Sequence, residues 1–301
     1  MVNILAKPGK GDCFTDIAGL QVGHAQDTAV KSGVTVIVPS SPVAMGVDVR
    51  GGGPGTRDTD ALDPTCLVDT VHGLVLAGGS VFGLAAADAV CAGLSEQNIG
   101  LPFGPRTIPV VPSAILFDLK NGGNKDWGAV PPYHRLGTEA LAALGTKVAQ
   151  GPVGAGYGAT AGDKPGGIAC ASLETEDGLQ VSAIVAVNSF GSVVENPNKN
   201  NGLIEIPTPG FVGTNTTIGA VATNITLDKA GCKRLAIMAQ DGFARTIRPI
   251  HTPFDGDTIF ALSTGAQSVT TANGNMAQTL TILGTLAADC VARAVLKAIQ
   301  A

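Results

Sequence analysis

The sequence contains few charged and few aromatic residues, and both scarcities exclude classes of function. Asp, Glu, Lys and Arg together make up 14% of the 301 residues, and Phe, Trp and Tyr make up 4%. The net charge is −5, so the chain lacks the basic stripe that phosphate backbones require, and it has few rings for base stacking. We therefore expect no nucleic-acid partner.

Signatures of metal binding and of membranes are also missing. The six cysteines include no Cys-x-x-Cys pair and the four histidines show no His-Glu-x-x-His spacing, so we expect no metal and no cofactor. We interpret the cysteines as small buried hydrophobic residues. No run reaches the roughly 18 apolar residues of a membrane span, and the N-terminal apolar stretch is too short for a signal peptide. The sequence predicts no membrane association and a cytoplasmic location.

Glycine and small apolar residues dominate what is present. The chain has 41 glycines, and 45% of its residues are hydrophobic, enough for a sizeable core. This composition indicates closely packed layers with much surface buried, including surface between subunits, so we expect a homo-oligomer. No linker separates two units, and strand and helix patterns alternate. We predict a single α/β domain over residues 1–301.

Three local patterns bear on the fold. Two β-branched runs, residues 34–38 and 44–49, predict a hairpin or two neighbouring strands. Residues 74–77 predict a buried strand, followed by a helix that Ser80 caps and that runs to about residue 94. The glycine-rich residues 154–159 match part of a dinucleotide-binding motif, but no strand of apolar alternation precedes them. We therefore expect no nucleotide there.

The stretch 213–224, GTNTTIGAVATN, places a polar cluster directly before an apolar, β-prone run. Thr216 should lie where a loop enters a buried strand, where its hydroxyl could attack its own preceding carbonyl and release a new chain beginning at Thr216. The freed α-amine, with a pKa of about 7.7–8.0, could then take the hydroxyl proton. The alternative interpretation is an ordinary strand start with turn-favouring residues.

Several further motifs, read together with that stretch, resemble the DmpA and nylon-oligomer-hydrolase family of self-processing N-terminal-nucleophile amidohydrolases. They are RPIHTPFDGDTIFALST (248–264), VDVRGGGPGTRDTDALDP (47–64), HGLVLAGGSVFGLAAADAV (72–90), VPSAILFDL (111–119) and GAGYGATAG (154–162). The resemblance covers nearly the whole chain. It implies a four-layer α/β/β/α sandwich, cleavage between Asn215 and Thr216 into interlocked fragments 1–215 and 216–301, and assembly of such pairs into larger oligomers.

The resemblance also implies the nucleophile and its acidic partners. In the family, the residue directly after the Asn of Asn-Thr-Thr is the nucleophile, which matches Thr216 rather than Thr217. Asp255 and Asp257 are two residues apart, so an extended backbone would place both carboxylates on the same side, where they could hold an ammonium. An Asp-Gly turn is the alternative interpretation. The family has its acidic pair at these positions.

Two further residues match family positions. Asn188, at the end of a predicted strand, matches the asparagine that helps to hold the oxyanion. Lys164 lies near the catalytic lysine, with its alignment open by one residue and a solvated loop lysine as the alternative. The chain departs from some members at Phe117, where they have tyrosine, so a hydroxyl is missing there. Asp118 beside it could give polar support.

These observations predict a self-processing threonine amidohydrolase that works through an acyl-Thr216 ester. It would act from the amino end of peptides or similar oligomers, with 6-aminohexanoate oligomers as possible substrates. Two alternatives stay open. One is an ornithine-type acetyltransferase, which resembles this family in fold and N-terminal threonine but passes the acyl group to an amine. The other is a non-catalytic, glycine-rich binding or assembly protein whose Asn-Thr bond stays intact.

Overall fold

A computed structural model describes residues 4–194, 215–268 and 275–300. Within these ranges the strands are β1 (Ala6–Pro8), β2 (Leu20–Asp27), β3 (Ser32–Pro39), β4 (Ala44–Val49), β5 (Thr56–Arg57), β6 (Leu74–Ala77), β7 (Ser113–Ile115), β8 (Thr160–Ala161), β9 (Lys164–Pro165), β10 (Gly167–Thr175), β11 (Gln180–Val187), β12 (Ser192–Val193), β13 (Ile218–Ile225), β14 (Ile247–Arg248) and β15 (Thr258–Gln267). The α-helices are α1 (Ala85–Glu96), α2 (Tyr133–Ala142), α3 (Lys229–Thr246) and α4 (Met276–Ala298).

Two sheets face each other, and helices cover their outer faces. The larger sheet has six strands in the order β1-β10-β11-β13-β15-β4, and the other has five in the order β2-β3-β6-β7-β5. Helices α3 and α4 pack on the larger sheet, whereas α1 and α2 pack on the smaller one. The result is the predicted α/β/β/α sandwich, with one apolar core between the sheets and one under each helical layer.

Strand β13 shows why the apolar run after Thr216 is continuous. Its neighbours are β11, which is antiparallel, and β15, which is parallel. Ile218 and Ala220 face the core between the sheets, whereas Val221 and Ile225 face the core beneath α3 and α4. Because every residue of β13 is buried, both faces of the strand are mostly apolar, and its polar residues Thr223 and Asn224 donate hydrogen bonds to backbone carbonyls.

Glycines bring the layers together as the composition predicted. A Cβ at Gly46 on β4 would collide with the backbone of Lys233 on α3. A Cβ at Gly242 on α3 would lie 2.6 Å from the Cβ of Val291 on α4. The helices therefore approach the sheet and each other at distances that only glycine allows at these positions.

Two of the local predictions need correction. Strands β3 and β4 form as predicted, but they are neither a hairpin nor neighbours, because β3 pairs with β2 and β6 while β4 pairs with β15 in the other sheet. Ser80 does not cap a helix. It begins a 3-10 helix, Ser80–Leu84, and α1 starts only after Leu84.

The expectation that all six cysteines are buried hydrophobic residues is also wrong in part. Cys13 and Cys170 form a disulfide that joins the N-terminal segment to β10, with Cα atoms 4.9 Å apart. Cys66 is exposed, whereas Cys232 and Cys290 are buried thiols as predicted. Sequence spacing gives no signal for the disulfide because its cysteines are 157 residues apart.

Helix α4 is long and apolar enough by composition to cross a membrane. However, 56% of its most apolar window is buried inside the fold, where the helix packs on β10, β11 and α3. Its hydropathy is thus explained by its position in the core.

Asp12 ties the N-terminal segment to α4. One carboxylate oxygen accepts hydrogen bonds from Arg293 at 2.7 Å and Lys297 at 2.6 Å, and the other accepts from the backbone N–H of Ser172 at 3.0 Å. Partial burial acts to raise the pKa of Asp12, but these three donors outweigh it and hold the pKa below its ordinary value. The carboxylate is therefore more easily ionised in the folded chain than in the unfolded one.

We predict that Asp12→Asn lowers the free energy of unfolding at pH 7 by about 1–2 kcal/mol, because solvent partly screens the pair. Since the folded pKa of Asp12 is depressed, the stabilisation is present above the unfolded pKa of about 3.9 and is lost as the pH falls through the folded pKa. Urea unfolding of both proteins between pH 7 and pH 2.5 measures this. The difference between them should shrink on acidification.

Glu139→Gln is the matched control, since it breaks an exposed i,i+4 pair with Arg135 on α2. That change should cost no more than about 0.5 kcal/mol. Equal losses in the two variants, or an Asp12 effect that does not depend on pH, would contradict the assigned role.

Candidate active site

Thr216 lies between the ends of two strands, and its backbone is held on both sides. Its N–H donates to the carbonyl of Asn188, directly after β11, at 2.5 Å. On the other side Asn215 forms an isolated parallel bridge with Asp255. The carbonyl of Thr217 then accepts from the N–H of Thr258 at 3.1 Å, where β13 and β15 begin. Thr216 is consequently only 1% exposed.

The side chain of Thr216 turns back on its own chain. Its hydroxyl donates a short hydrogen bond to the carbonyl oxygen of Asn215, the residue before it. The oxygen nucleophile and the carbonyl of the Asn215–Thr216 bond are therefore neighbours. Addition of that oxygen to the carbonyl carbon would close a five-membered ring, the geometry needed for an N-to-O acyl shift.

Asp255 is fully buried and is held by three donors. It accepts from the N–H of Phe190 at 3.3 Å, from the N–H of Thr252 at 3.1 Å and from the Thr252 hydroxyl at 2.6 Å. Burial raises the pKa of Asp255, and the neighbouring charge of Asp257 raises it further, although these hydrogen bonds oppose the shift. Asp255 therefore holds its proton more readily than an exposed aspartate.

Asp257 is also fully buried and supports the segment that carries Thr216, the predicted nucleophile. One of its oxygens accepts from the N–H of Thr217 at 2.8 Å, and the other accepts from the N–H of His251 at 3.0 Å. The ring Nδ1 of His251 lies 3.0 Å from that second oxygen. Across the described hydrogen bonds, neither Asp255 nor Asp257 contacts the Thr216 hydroxyl; Asp257 acts on the next residue instead.

Asn188 contacts three parts of the site. Its backbone carbonyl receives the N–H of Thr216, its side-chain Nδ2 donates to the carbonyl of Phe117 at 2.9 Å, and its Oδ1 accepts from the N–H of Thr160 at 2.9 Å. These contacts fix the orientation of the amide. Because an Nδ2 group carries two protons, one N–H remains in addition to the bond to Phe117. The contact with Thr216 is made by the backbone of Asn188, so the oxyanion role of its side-chain amide stays a prediction.

Asp118 lies behind the site rather than in it. It is 3% exposed, and its Oδ1 accepts from the N–H of Gly79 at 2.8 Å. Burial raises the pKa of Asp118, with the Ser32 hydroxyl, the Gly79 N–H and Lys125 opposing the shift. Its contact with Gly79 supports the turn at Ser80, whereas the polar support at the reaction site that the sequence suggested for Asp118 stays a prediction.

Lys164 is exposed, on the two-residue strand β9. It borders a cavity of about 690 Å³ together with Lys31, Asn121 and Thr160. Thr216 borders a different cleft, although Thr160 on the wall of the first cavity donates to the side chain of Asn188, whose carbonyl accepts from Thr216. Among the described residues no hydrogen bond or ion pair joins Lys164 to Thr216, so the catalytic role of Lys164 stays a prediction.

The cleft beside Thr216 has a volume of about 430 Å³. Gly53, Gly55, Ser80, Leu84 and Ile115 form much of its wall. The glycine-rich loop 51–55 is held beside this cleft because the N–H of Gly53 donates to the carbonyl of Asp255 at 2.8 Å. Within the described ranges, no group of three or more His, Cys, Asp or Glu side chains is arranged to hold a metal ion.

The sequence pattern of peptidase family S58 matches residues 12–301. The chain belongs to this family. It is 42% identical to an uncharacterized aminopeptidase of Mycobacterium tuberculosis, over 94% of this chain and 92% of the relative. It is 28% identical to a 6-aminohexanoate-oligomer endohydrolase of Paenarthrobacter ureafaciens, over 94% of this chain and 84% of that protein. The predicted family is confirmed.

Solved structures agree with this membership. A β-aminopeptidase of a Burkholderia species superposes with a TM-score of 0.77 at 25% identity, covering 98% of this chain and 88% of that one. An L-aminopeptidase D-Ala-esterase/amidase from Ochrobactrum anthropi, described as a variant of the Ntn-hydrolase fold, gives 0.71 at 20% identity with the same coverage. The S58 chain is therefore an amide-bond hydrolase with an Ntn-hydrolase fold, which excludes the non-catalytic alternative.

Two residues of this S58 site were missed by the sequence reasoning. His251 contacts Asp257, and Ser80 borders the cleft beside Thr216. Both have positive φ values, 56° and 53°, which is uncommon outside glycine. His251 could have been found from its place in the RPIHTPFDGDT motif. The interpretation of Ser80 as a helix cap gave no reason to place it beside Thr216.

Gly256, between the two aspartates, provides a test of how tightly this site is packed. A Cβ there would lie 2.8 Å from both the Thr216 hydroxyl oxygen and the carbonyl oxygen of Gly53. We predict that Gly256→Ala displaces one of these groups, destabilises the fold by about 1–3 kcal/mol and reduces amide hydrolysis by at least about tenfold. Thermal unfolding and hydrolysis of alanine p-nitroanilide measure the two effects.

Gly145→Ala is the control, since the added Cβ has no heavy atom within 4 Å. Its hydrolysis rate should equal that of the wild type. If Gly256→Ala hydrolyses the substrate at the wild-type rate, the close packing of Gly256 against Thr216 and Gly53 is not needed for activity.

Proposed function

We propose that this S58 hydrolase cleaves its own Asn215–Thr216 bond and then uses Thr216 as an N-terminal nucleophile on peptide or related amide bonds. One observation carries the proposal. The buried hydroxyl of Thr216 lies against the carbonyl of Asn215 while Asn188 and Asp257 hold the backbone on either side. A threonine at an ordinary strand start would direct its hydroxyl to solvent or to a turn.

Self-cleavage balances without any added group. The Oγ1 of Thr216 adds to the carbonyl carbon of Asn215, the C–N bond breaks, and the hydroxyl proton ends on the departing nitrogen. Water then hydrolyses the ester, which gives a carboxyl group on Asn215 and restores the hydroxyl. Fragments 1–215 and 216–301 result, and Thr216 now carries a free α-amine.

Turnover repeats the same chemistry on a substrate. The α-amine of Thr216 takes the hydroxyl proton as Oγ1 attacks the substrate carbonyl. The resulting ammonium passes that proton to the substrate nitrogen as the C–N bond breaks, which releases the amine product and leaves an acyl ester on Oγ1. The second N–H of Asn188 Nδ2 is proposed to stabilise the oxyanion. Asp255 and Asp257 are proposed to stabilise the ammonium form of Thr216. Lys164 is also kept as a candidate catalytic residue, but it borders a different cavity and would have to move to contact Thr216.

Water is the proposed acceptor of the acyl group. Relatives that span 94% of this chain are named aminopeptidases and 6-aminohexanoate-oligomer endohydrolases, which favours hydrolysis over acetyl transfer to an amine. The proposed substrates are amino-acyl amides, short peptides and ω-amino-acid oligomers. Assembly of processed pairs into a homo-oligomer and a cytoplasmic location stay predictions.

We predict that wild-type protein separates in denaturing mass spectrometry into fragments 1–215 and 216–301, whereas Thr216→Ala stays a single chain of 30.1 kDa. The reason is that the Thr216 hydroxyl donates to the carbonyl oxygen of Asn215. Cleavage of Thr216→Ala, or fragments that begin at another residue, would reject the nucleophile.

Thr217→Val is the matched control for that experiment. Thr217 is the adjacent threonine, and its buried Oγ1 has no hydrogen-bond partner within the described ranges. Valine keeps the branched shape while removing an unsatisfied hydroxyl, so the variant should fold and be cleaved as the wild type is. If Thr217→Val stays intact while Thr216→Ala is cleaved, the nucleophile is Thr217 and not Thr216.

A second prediction concerns the acyl acceptor. Processed protein should release p-nitroaniline from alanine p-nitroanilide and shorten 6-aminohexanoate oligomers, because the ester on Thr216 is open to water. In a parallel incubation with N-acetylornithine and glutamate we expect no N-acetylglutamate. Chromatography of both mixtures decides the matter: acetyl transfer without amide hydrolysis would overturn the proposed acceptor.

A further inference from the structure

The turn that leads into α1 has an unusual backbone at two consecutive residues. Gly79 and Ser80 have φ values of 83° and 53°, both in the left-handed region. Gly79 must be glycine, because a Cβ there would collide with the ring of Tyr133. Ser80 carries a Cβ in a conformation that glycine adopts at lower free energy, so a conformational requirement alone does not explain a serine there.

The neighbouring structure holds this turn firmly. The N–H of Gly79 donates to the buried carboxylate of Asp118 at 2.8 Å, and the N–H of Ser80 donates to the carbonyl of Leu116 at 3.0 Å. These bonds involve only the backbone of the turn. They explain how the strained conformation persists, while leaving the hydroxyl of Ser80 without an assigned role.

Ser80 belongs to the wall of the cleft beside Thr216. The other described parts of this wall are glycine and proline backbone, the aliphatic side chains of Val81, Leu84 and Ile115, and Thr56. The Thr56 hydroxyl already faces that of Thr59 at 3.3 Å. Within residues 4–194, 215–268 and 275–300, the Ser80 hydroxyl has no hydrogen-bond partner and no charged side chain borders the cleft.

We propose that Ser80 is a substrate-binding residue whose hydroxyl hydrogen-bonds to a main-chain amide of the substrate in this cleft. The wall then favours a substrate whose amide lies beside a small, uncharged side chain, because it offers aliphatic contacts and one free hydroxyl. The assignment rests on the proposed function, since it requires that Thr216 attacks what the cleft binds. The volume of about 430 Å³ suits a ligand of this size.

The test compares Ser80→Gly and Ser80→Ala with wild type, all as processed protein. Ser80→Gly removes the hydroxyl and also the unfavourable left-handed Cβ, so its Tm should equal or exceed that of the wild type. Its kcat/KM for alanine p-nitroanilide should fall about five- to tenfold, chiefly through KM, as expected when a hydrogen bond to the bound substrate is lost. Ser80→Ala should show the same loss of kcat/KM.

Asn98→Gly is the matched control. Asn98 has a φ of 60° and is exposed just beyond the C-terminal end of α1, the opposite end from Ser80. The same exchange for glycine at a left-handed residue should leave kcat and KM unchanged. If Ser80→Ala fails to fold, the comparison of Ser80→Gly with Asn98→Gly still tests the proposal.

A binding measurement separates this inference from the proposed function. The probe is a ketomethylene analogue of Ala-Ala-Ala whose first amide is replaced, so that it has no scissile nitrogen there but keeps its second main-chain amide, titrated calorimetrically into each protein. Affinity five- to tenfold lower in Ser80→Gly supports the assignment. If Ser80→Gly binds the analogue and hydrolyses the substrate as well as the wild type does, the assignment of Ser80 is overturned but the proposed function is not. A wild-type protein that neither binds the analogue nor hydrolyses amides overturns the proposed function, and the Ser80 assignment with it.

Discussion

The hydrogen bond from the N–H of Thr216 to the carbonyl of Asn188 is the constraint on which the rest of the site depends. It attaches the loop before β13 to the end of β11, while Asp257 and Thr258 hold the following residue from the β15 side. With both backbone edges occupied, the Thr216 side chain is left facing its own preceding carbonyl and the cleft. A free loop could not keep nucleophile and carbonyl together in this way.

The layered fold makes that constraint stiff. β13 is central in its sheet, with apolar cores on both faces and hydrogen-bonded neighbours on both edges. The same arrangement would keep the two proposed fragments together after cleavage, since β11 and β13 are adjacent strands from different fragments. Asp12 adds a second connection, because its partners Arg293 and Lys297 lie on α4.

Electrostatics connect cleavage with activity in the proposed mechanism. In the intact chain Asp255 and Asp257 are buried together, and burial and mutual repulsion raise the pKa of Asp255. Cleavage would add a positive α-ammonium at Thr216, one residue from the N–H that Asp257 now holds. A cation at that point favours the ionised carboxylates. In the uncut chain the acidic pair would therefore lack this positive partner, and cleavage would supply it as the α-ammonium of Thr216.

The sequence by itself determined the family and the layered fold class, and it identified Thr216, Asn188, Asp255 and Asp257 as candidate site residues, because these stand in long motifs and beside strongly apolar runs. It did not determine which strands are neighbours: residues 34–38 and 44–49 are close in the chain yet lie in different sheets. Nor did it determine the Cys13–Cys170 disulfide, the contact of His251 with Asp257, or the position of Ser80 in the cleft. Local patterns report burial and turn preference within a few residues, whereas each of these features is a contact made by packing segments that are distant in the chain or by a backbone conformation that neighbouring strands impose.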